Sequence, residues 1–531
     1  MLSFFAAGGA VPWWINGLSL FMGFVSAATF VVWGSVAYSS GWVAITIQWA
    51  MSVAGFITGL IIAPKWHKTK SLTAAEYIFN RLGERTQKTY SYLYLGIMVF
   101  LKGVCLYAVA IILQVATGIS LYWWVAALGS MVILYTSFGG LWAVVVTDVL
   151  QFIILLAAGL ILLPLSFEKV GGISSFVKAI HEQQLPDFFN LSDHKYTVSF
   201  LLGFLFYNIS YLGGQWSFIQ RYASVATPKD AKKTGIMFGI FYIISPVIWM
   251  LPPMIYRAIN PNLVGIESEQ AYMLMCKTVL PSGILGLIAI SLIFATNSSV
   301  QGFLNISAGV ITNDLYKTIY PNSSGNILMR VAKLATFFVG FVVIGMGMMV
   351  PSMGGAVNVI LSVASITGGA MYFPVICSLF SKKQSSFTVL GTTILSLLIL
   401  LSLKFVLPAI NGVSLSRASE MVLGVLVPVS ILALFEIWLR IKNQPSAEFD
   451  NYQRYLLEKS GNISGTNGEI VDSEAENLFG KRMISIGILS TGIIIGVLGA
   501  IAERGKYYTL GISAILLTIS LKMLLGTMKK K

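Results

Sequence analysis

The chain alternates long apolar runs with short polar ones. Runs long enough to cross a bilayer lie at about 12–37, 41–63, 88–118, 121–138, 140–166, 196–218, 233–257, 282–316, 327–350, 355–380, 385–408, 417–440, 483–502 and 507–527. These are fourteen candidate helices, each near the roughly 20 residues that a hydrocarbon core requires. The fourth and fifth are parted only by Phe138-Gly139-Gly140, so they are the pair most easily merged. Residues 167–195 form a longer loop, with a short amphipathic helix expected near Ile173–His181. Residues 441–482 are the one long polar stretch and read as a linker of mixed charge, with Asn and Gly around Gly461–Gly468.

Composition agrees with this pattern. Of 531 residues, 56% are hydrophobic and 11% charged, with a mean hydropathy of +0.80. That is an integral membrane protein of all-α class, and soluble domains do not look like it. The net charge of +14 needs no nucleic-acid partner, because the basic residues obey the positive-inside rule. Lys65, Lys68, Lys70, Arg81, Arg85 and Lys88 follow the second span, Arg221, Lys229, Lys232 and Lys233 the sixth, Lys382 and Lys383 the tenth, and Lys529–Lys531 end the chain. With alternating spans all of these share one side, expected to be the cytoplasm of a cell (inner or plasma) membrane, with the C-terminus there. Cys105, Cys276 and Cys377 are widely spaced, and His67, His181 and His194 have no ligand spacing, so neither a disulfide framework nor a metal motif is present. The start, MLSFFAAGGAVPWW, lacks the basic region and apolar run of a cleavable signal.

Five spans before the long loop and five after it give a five-plus-five arrangement. An odd number of spans per unit inverts the second unit, as in many secondary transporters. The expected organisation is a transport core over 12–380, two additional helices over 385–440, the linker at 441–482 and a C-terminal hairpin over 483–527. Both units open with a weak helix. In the first span it is Gly23-Phe24-Val25-Ser26-Ala27-Ala28-Thr29, and in the sixth Asn208-Ile209-Ser210-Tyr211-Leu212-Gly213-Gly214-Gln215-Trp216. Interrupted helices in matching positions point to a central binding site, although glycine is common in membrane helices anyway. The eighth span carries Ala295-Thr296-Asn297-Ser298-Ser299. Adjacent serines at membrane depth serve either as small packing residues or, with nearby carbonyls, as an all-oxygen cage for a hard cation.

Three stretches carry a resemblance. Tyr135-Thr136-Ser137-Phe138-Gly139-Gly140-Leu141-Trp142-Ala143 leads to Thr147-Asp148 and Gln151; Pro12-Trp13-Trp14 precedes the first weak helix, with Tyr38-Ser39-Ser40-Gly41 after it; and Ser298-Ser299 precedes Asn305 and Asp314-Leu315-Tyr316-Lys317. Over about Phe4 to Leu439, these together with Ile219-Gln220-Arg221 resemble the sodium:solute symporter family. The resemblance implies a LeuT-like five-plus-five core that imports a small organic solute with sodium by alternating access. It also implies a sodium site built from the carbonyls of Met22, Val25 and Ala295 and the hydroxyls of Ser298 and Ser299. Five neutral oxygens can replace the water around a sodium ion while holding it loosely enough to release. Some members hold a second sodium with the aspartate matching Asp148 and two further serines. Gln301 and Gly302 stand at those serine positions here, which favours one sodium per cycle.

The resemblance places the solute among the first, second, third, sixth and tenth spans, near Thr29, Gln48, Asn208, Tyr211 and Gln215, with Trp216 close by. Sugar-transporting members have a carboxylate at the Gln48 place and a lysine at the Tyr242 place. Ser26, Thr29 and Gln48 look more like the sialic-acid branch, which pairs its acid with an arginine on the third span. The cation here is Lys102. A lysine at that depth is costly; it pairs a substrate carboxylate, pairs Asp148, or snorkels to an aqueous cavity. Members usually carry one more helix before the first broken one, and the chain begins just after where that helix would end. The remaining alternatives are a symporter for another small acid or amine, or a transporter-like sensor or channel. An enzyme would need catalytic groups clustered at one depth, and the carboxylates and histidines are scattered.

Overall fold

The computed structural model describes residues 12–71, 73–136, 141–412, 414–442, 446–465, 473–502 and 504–528, and every element in it is helical. Residues 137–140, the centre of the resemblance signature and the link between the fourth and fifth spans, lie outside the described residues. Among the described residues eleven helices are long and apolar enough to cross a membrane. The other expected crossings fall on the shorter apolar helices Leu121–Leu134 and Val198–Gly214 and on the interrupted first stretch, where Trp13–Met22 is followed after a break by Gly34–Ser40. Large apolar side chains such as Leu134, Leu334, Phe338 and Phe405 are exposed on the outside of the bundle, as suits a surface in contact with lipid.

The second and seventh spans, Val43–Lys68 and Pro228–Ile259, cross through two glycine pairs. Gly55 and Gly59 of one meet Gly235 and Gly239 of the other, and a Cβ built on Gly235 would lie 2.4 Å from the Gly59 Cα. Small residues four apart let the two backbones touch, which is how membrane helices associate without a hydrophobic driving force. The Ser52 hydroxyl donates to the Gly239 carbonyl at 2.7 Å across the same seam.

Prolines account for three of the five π turns. Thr58–Ile62, Gly368–Tyr372 and Ser402–Val406 each end two residues before a proline: Pro64, Pro374 and Pro408. A proline lacks the N–H and crowds the carbonyl four residues back, so the turn before it widens. The π turns Thr29–Trp33 and Ile311–Tyr316 have no such proline, and the first of them borders the central cavity described below.

Two polar segments are more ordered than their composition implies. The expected amphipathic helix is present as Ile173–Glu182. Within the stretch read as a linker, Ala447–Gly465 is a helix packed on the short helix Ala74–Leu82. Its Tyr452 ring meets Tyr77 edge-on at 5.8 Å, Phe449 lies under the Arg81 guanidinium at 5.1 Å, and Lys459 pairs with Glu76 at 3.0 Å. Phe449, Tyr452 and Tyr455 recur every third residue, so one face of a polar helix is aromatic. A mean composition hides such a face.

The glycine crossing yields a direct test. Gly59→Val should lower the unfolding free energy in detergent by about 2 kcal/mol or more, because only backbone stands in the way and overpacking costs roughly 1–3 kcal/mol. Gly286→Ala, where an added Cβ meets nothing within 4 Å, should leave the melting temperature unchanged or slightly raised.

Candidate functional site

The first span stops at Met22: Gly23 N–H still closes a helical turn on Ser19 O at 2.8 Å, and Phe24 N–H then tightens to Phe21 O, three residues back, at 3.0 Å. The chain then restarts under side-chain control. Thr29 Oγ1 accepts from Ser26 N–H at 3.1 Å and donates to Phe24 O at 3.3 Å. Thr296 Oγ1, on the eighth span, accepts the Ala27 N–H at 3.2 Å. A free backbone donor at this depth would cost several kcal/mol, so these two threonines fix the break and press it against the eighth span. Thr296 lies in the Ala295–Ser299 stretch singled out by its serines; its own hydroxyl showed no distinguishing spacing.

The sixth span breaks in the same manner. Its helix Val198–Gly214 ends, Gln215 is extended at φ −71°, ψ 130°, and Trp216–Ala223 begins. Gln215 Oε1 caps the new helix by accepting from Ser217 N–H at 2.6 Å and from the Ser217 hydroxyl at 2.9 Å. Gly214 is required where it stands, since a Cβ there would lie 2.6 Å from the Tyr372 Cβ.

A cavity of about 130 Å³ lies between the two breaks, bordered by Gly23, Ser26, Thr29, Lys102, Asn208, Tyr211 and Ser299 among others. Four of the six expected solute residues therefore come together: Thr29, Lys102, Asn208 and Tyr211. Gln48 is turned away. Its side chain is 1% exposed and its amide donates back to Ala44 O at 3.3 Å; Met51 represents the second span in the lining. Gln215 is engaged in its cap. Asn208 donates to Phe204 O at 2.8 Å, while its side-chain oxygen has no hydrogen-bond partner among the described residues. Aromatic rings that sequence inspection did not single out close the cavity. Phe24 stacks on Phe218 at 5.3 Å and meets Tyr211 edge-on at 5.4 Å, and Trp33 meets Phe204 edge-on at 5.6 Å.

Lys102 neither pairs with Asp148 nor snorkels to an end of its helix. Its ammonium donates to the Ser299 hydroxyl at 2.6 Å, and among the described residues no carboxylate lies within ion-pair distance of it. Of the expected sodium ligands, Met22, Val25 and Ala295 are buried in the segments that the Ala27–Thr296 bond joins, and Ser298 and Ser299 follow on the same helix, half-buried.

Asp148 has other partners. Ser19 donates to it at 2.6 Å, Arg221 lies at 3.5 Å, and Arg221 Nε also donates to Ser19 at 3.2 Å. The first span, the fifth span and the helix after the sixth-span break are thus tied together below the cavity, toward the basic loops. At the opposite end a larger cavity of about 510 Å³ is bordered by Ser35, Tyr196, Glu269 and Arg417. There Glu269 joins the third span to the tenth, accepting from the Tyr107 hydroxyl at 2.8 Å and from Val357 N–H at 3.2 Å. Burial pushes the Glu269 carboxyl up to about 7 despite these hydrogen bonds.

Two interrupted helices meeting at a small central cavity, tied shut on either side, are the arrangement of a secondary transporter. The chain belongs to the sodium:solute symporter family, whose model matches residues 4–395, and it is accordingly a membrane transporter and not an enzyme. It is similar to the sodium/glucose cotransporter of Vibrio parahaemolyticus, 24% identical over 90% of this chain and 92% of that protein. It is also similar to the sodium/sialic acid symporter SiaT of Proteus mirabilis, 28% identical over 64% of this chain and 70% of that one. A solved substrate-bound, outward-open structure of a Na+-coupled sialic acid symporter superposes with a TM-score of 0.66 at 25% identity, covering 82% of this chain and 91% of that chain. The all-helical, five-plus-five LeuT-like fold expected from the sequence therefore holds.

The two ties are separately testable. Asp148→Asn should cost about 3–5 kcal/mol of stability, because it leaves a buried guanidinium unpaired. The double variant Asp148→Leu/Arg221→Met should cost less than the two single changes added; strict additivity would show that the pair is not coupled. At the other end, the folded Glu269 carboxyl keeps its proton up to about 7 against an ordinary value of 4.5. Its stabilising contribution is therefore full below about 4.5 and lost as pH rises through about 7, a total of order 1–3 kcal/mol. Thermal melts at about pH 5 and pH 8 should show that loss in the wild type and a smaller one in Glu269→Gln.

Proposed function

We propose that the protein imports a small organic acid together with one sodium ion, and that the acid is a sugar acid such as sialic acid. The observation that carries this reading is the Lys102 ammonium, which borders the central cavity without a carboxylate partner among the described residues. A half-buried cation at mid-membrane calls for an anion, and a transported solute can supply it. Asn208, with its unpartnered oxygen, and Thr29 are the proposed polar contacts, and Tyr211 with Phe24 and Phe218 the apolar face against which a ring would rest. Gln48 and Gln215, expected as direct contacts, are better read as supports of the neighbouring backbone.

Met22, Val25, Ala295, Ser298 and Ser299 are the proposed sodium ligands. The Ala27–Thr296 hydrogen bond supports this assignment, since it holds the first break against the helix that carries the serines. Asp148 is satisfied by Ser19 and Arg221, and Gln301-Gly302 replaces the serines of a second site, so a single sodium accompanies each solute. Basic loops assign the Asp148 side to the cytoplasm, with fourteen crossings of the cell membrane and a cytoplasmic C-terminus. The core over 12–380 does the transport, and the helices beyond it support the bundle.

One observation favours a smaller acid. The cavity of about 130 Å³ is below the roughly 300 Å³ at which ordinary ligand pockets begin. A sugar acid enters only if the spans part, whereas a short carboxylate fits a small opening. Uptake into proteoliposomes under an inward sodium gradient, with sialic acid, glucose, glucuronate and lactate as solutes, decides among these. Sodium-dependent accumulation of an acid, lost in Ser298→Ala/Ser299→Ala, is the expected result. Accumulation of glucose alone would sink the acid assignment, and uptake that ignores sodium and the serine change would favour a pore.

A further inference from the structure

The sodium ligands assigned above are all neutral oxygens, yet one of them is already engaged by a cation. Lys102 lies midway along the third span, Glu84–Thr117, and its ammonium reaches the Ser299 hydroxyl at 2.6 Å. A sodium ion bound to the same hydroxyl at the usual hard-cation distance of about 2.4 Å would sit within about 5 Å of that nitrogen. Among the described residues no carboxylate forms an ion pair with Lys102, and Asp148, the buried carboxylate of the fifth span, is engaged by Arg221 and Ser19. Lys102 also borders the cavity shared by Ser26, Thr29 and Asn208, so the same side chain faces both places where cargo would sit.

We propose that the Lys102 ammonium is a tethered cation that competes with the transported sodium for the Ser299 hydroxyl, and that an anionic solute lifts the competition by pairing with it in the cavity. This rests on the reading of Ser298 and Ser299 as sodium ligands. With the cavity empty, the ammonium holds Ser299 and sodium binds weakly. When a carboxylate enters, the ammonium turns to it, Ser299 is released, and the net charge near the cage falls by one. Sodium and solute then favour each other by the same factor, since coupling between two sites is reciprocal. The device makes leak costly: sodium without its solute meets a like charge, and an acid without sodium leaves the cage oxygens unfilled. It also explains why a lysine is tolerated at mid-membrane with a hydroxyl as its hydrogen-bond partner, a placement that costs stability unless it serves the transport cycle.

The test is sodium binding to the purified full-length protein, read by tryptophan fluorescence with choline chloride holding ionic strength constant. Trp33 borders the cavity and Trp216 begins the helix after the second break, so both report on it. Without solute, Lys102→Met and Lys102→Gln should half-saturate at sodium concentrations about tenfold lower than wild type, or lower still, because a like charge is gone. Lys102→Gln keeps a donor for Ser299 and covers the case in which the methionine variant does not fold. Lys102→Arg, which keeps the charge, should stay near wild type. Adding sialic acid, glucuronate or lactate should tighten sodium binding in the wild type for at least one of the three and in neither neutral variant. If sodium binds the wild type and the neutral variants bind it no more tightly, the competition is wrong while the cage stands. If sodium binds Ser299→Ala as tightly as it binds the wild type, the cage itself is wrong. If no acid of the three tightens sodium in the wild type, the solute half of the proposal falls.

Discussion

The structure turns on a rule of the hydrocarbon interior: a backbone group that leaves its helix must find another partner, because no water is there to serve. The first span breaks that ladder at Gly23, and two threonines repair it, one local and one on the eighth span. The sixth span breaks at Gln215, whose side chain repairs it from within. The sodium site proposed above draws on carbonyls beside the first break and on two serine hydroxyls from a neighbouring span, and needs no acid. The same breaks open the space in which a solute can lie.

Around the breaks, rigid and yielding contacts are divided. The second and seventh spans touch backbone to backbone through glycine pairs, a close seam that leaves little room for rearrangement. The ends of the cavity are closed differently. On one side a buried ion pair and a serine hydroxyl join three segments, and on the other a single carboxylate bridges the third and tenth spans. Polar ties of this kind have discrete made and broken states, which suits alternating access; a glycine seam suits a part that moves as one piece. Proline-induced π turns in the second and tenth spans place local backbone slack in two of the spans that border the site.

Much of this was legible in one dimension. The apolar runs, the basic loops and the paired weak helices follow from what each residue needs from its surroundings: lipid, water or a break in the ladder. Those needs are local, so a sequence records them. The family resemblance rested on the same kind of local motif. The serine pair stood out because hydroxyls are unusual at that depth, and Lys102 because a charge is more unusual still.

What sequence could not decide was partnership. Asp148 is an ion-pair partner of Arg221, and Lys102 a donor to Ser299, because of which faces the spans present after they twist and pack. Gln48, a good candidate by position, is rotated away to back-bond with Ala44, while Thr296, which had no claim by type or spacing, closes the first break. The helix Ala447–Gly465 shows the same limit, since its aromatic face is visible only once Tyr77 and Arg81 are there to receive it. The sequence by itself determined the medium each segment occupies and the depth at which the chemistry sits. The tertiary structure alone decided which groups meet, because hydrogen bonds and ion pairs act over a few ångströms between residues up to 389 positions apart.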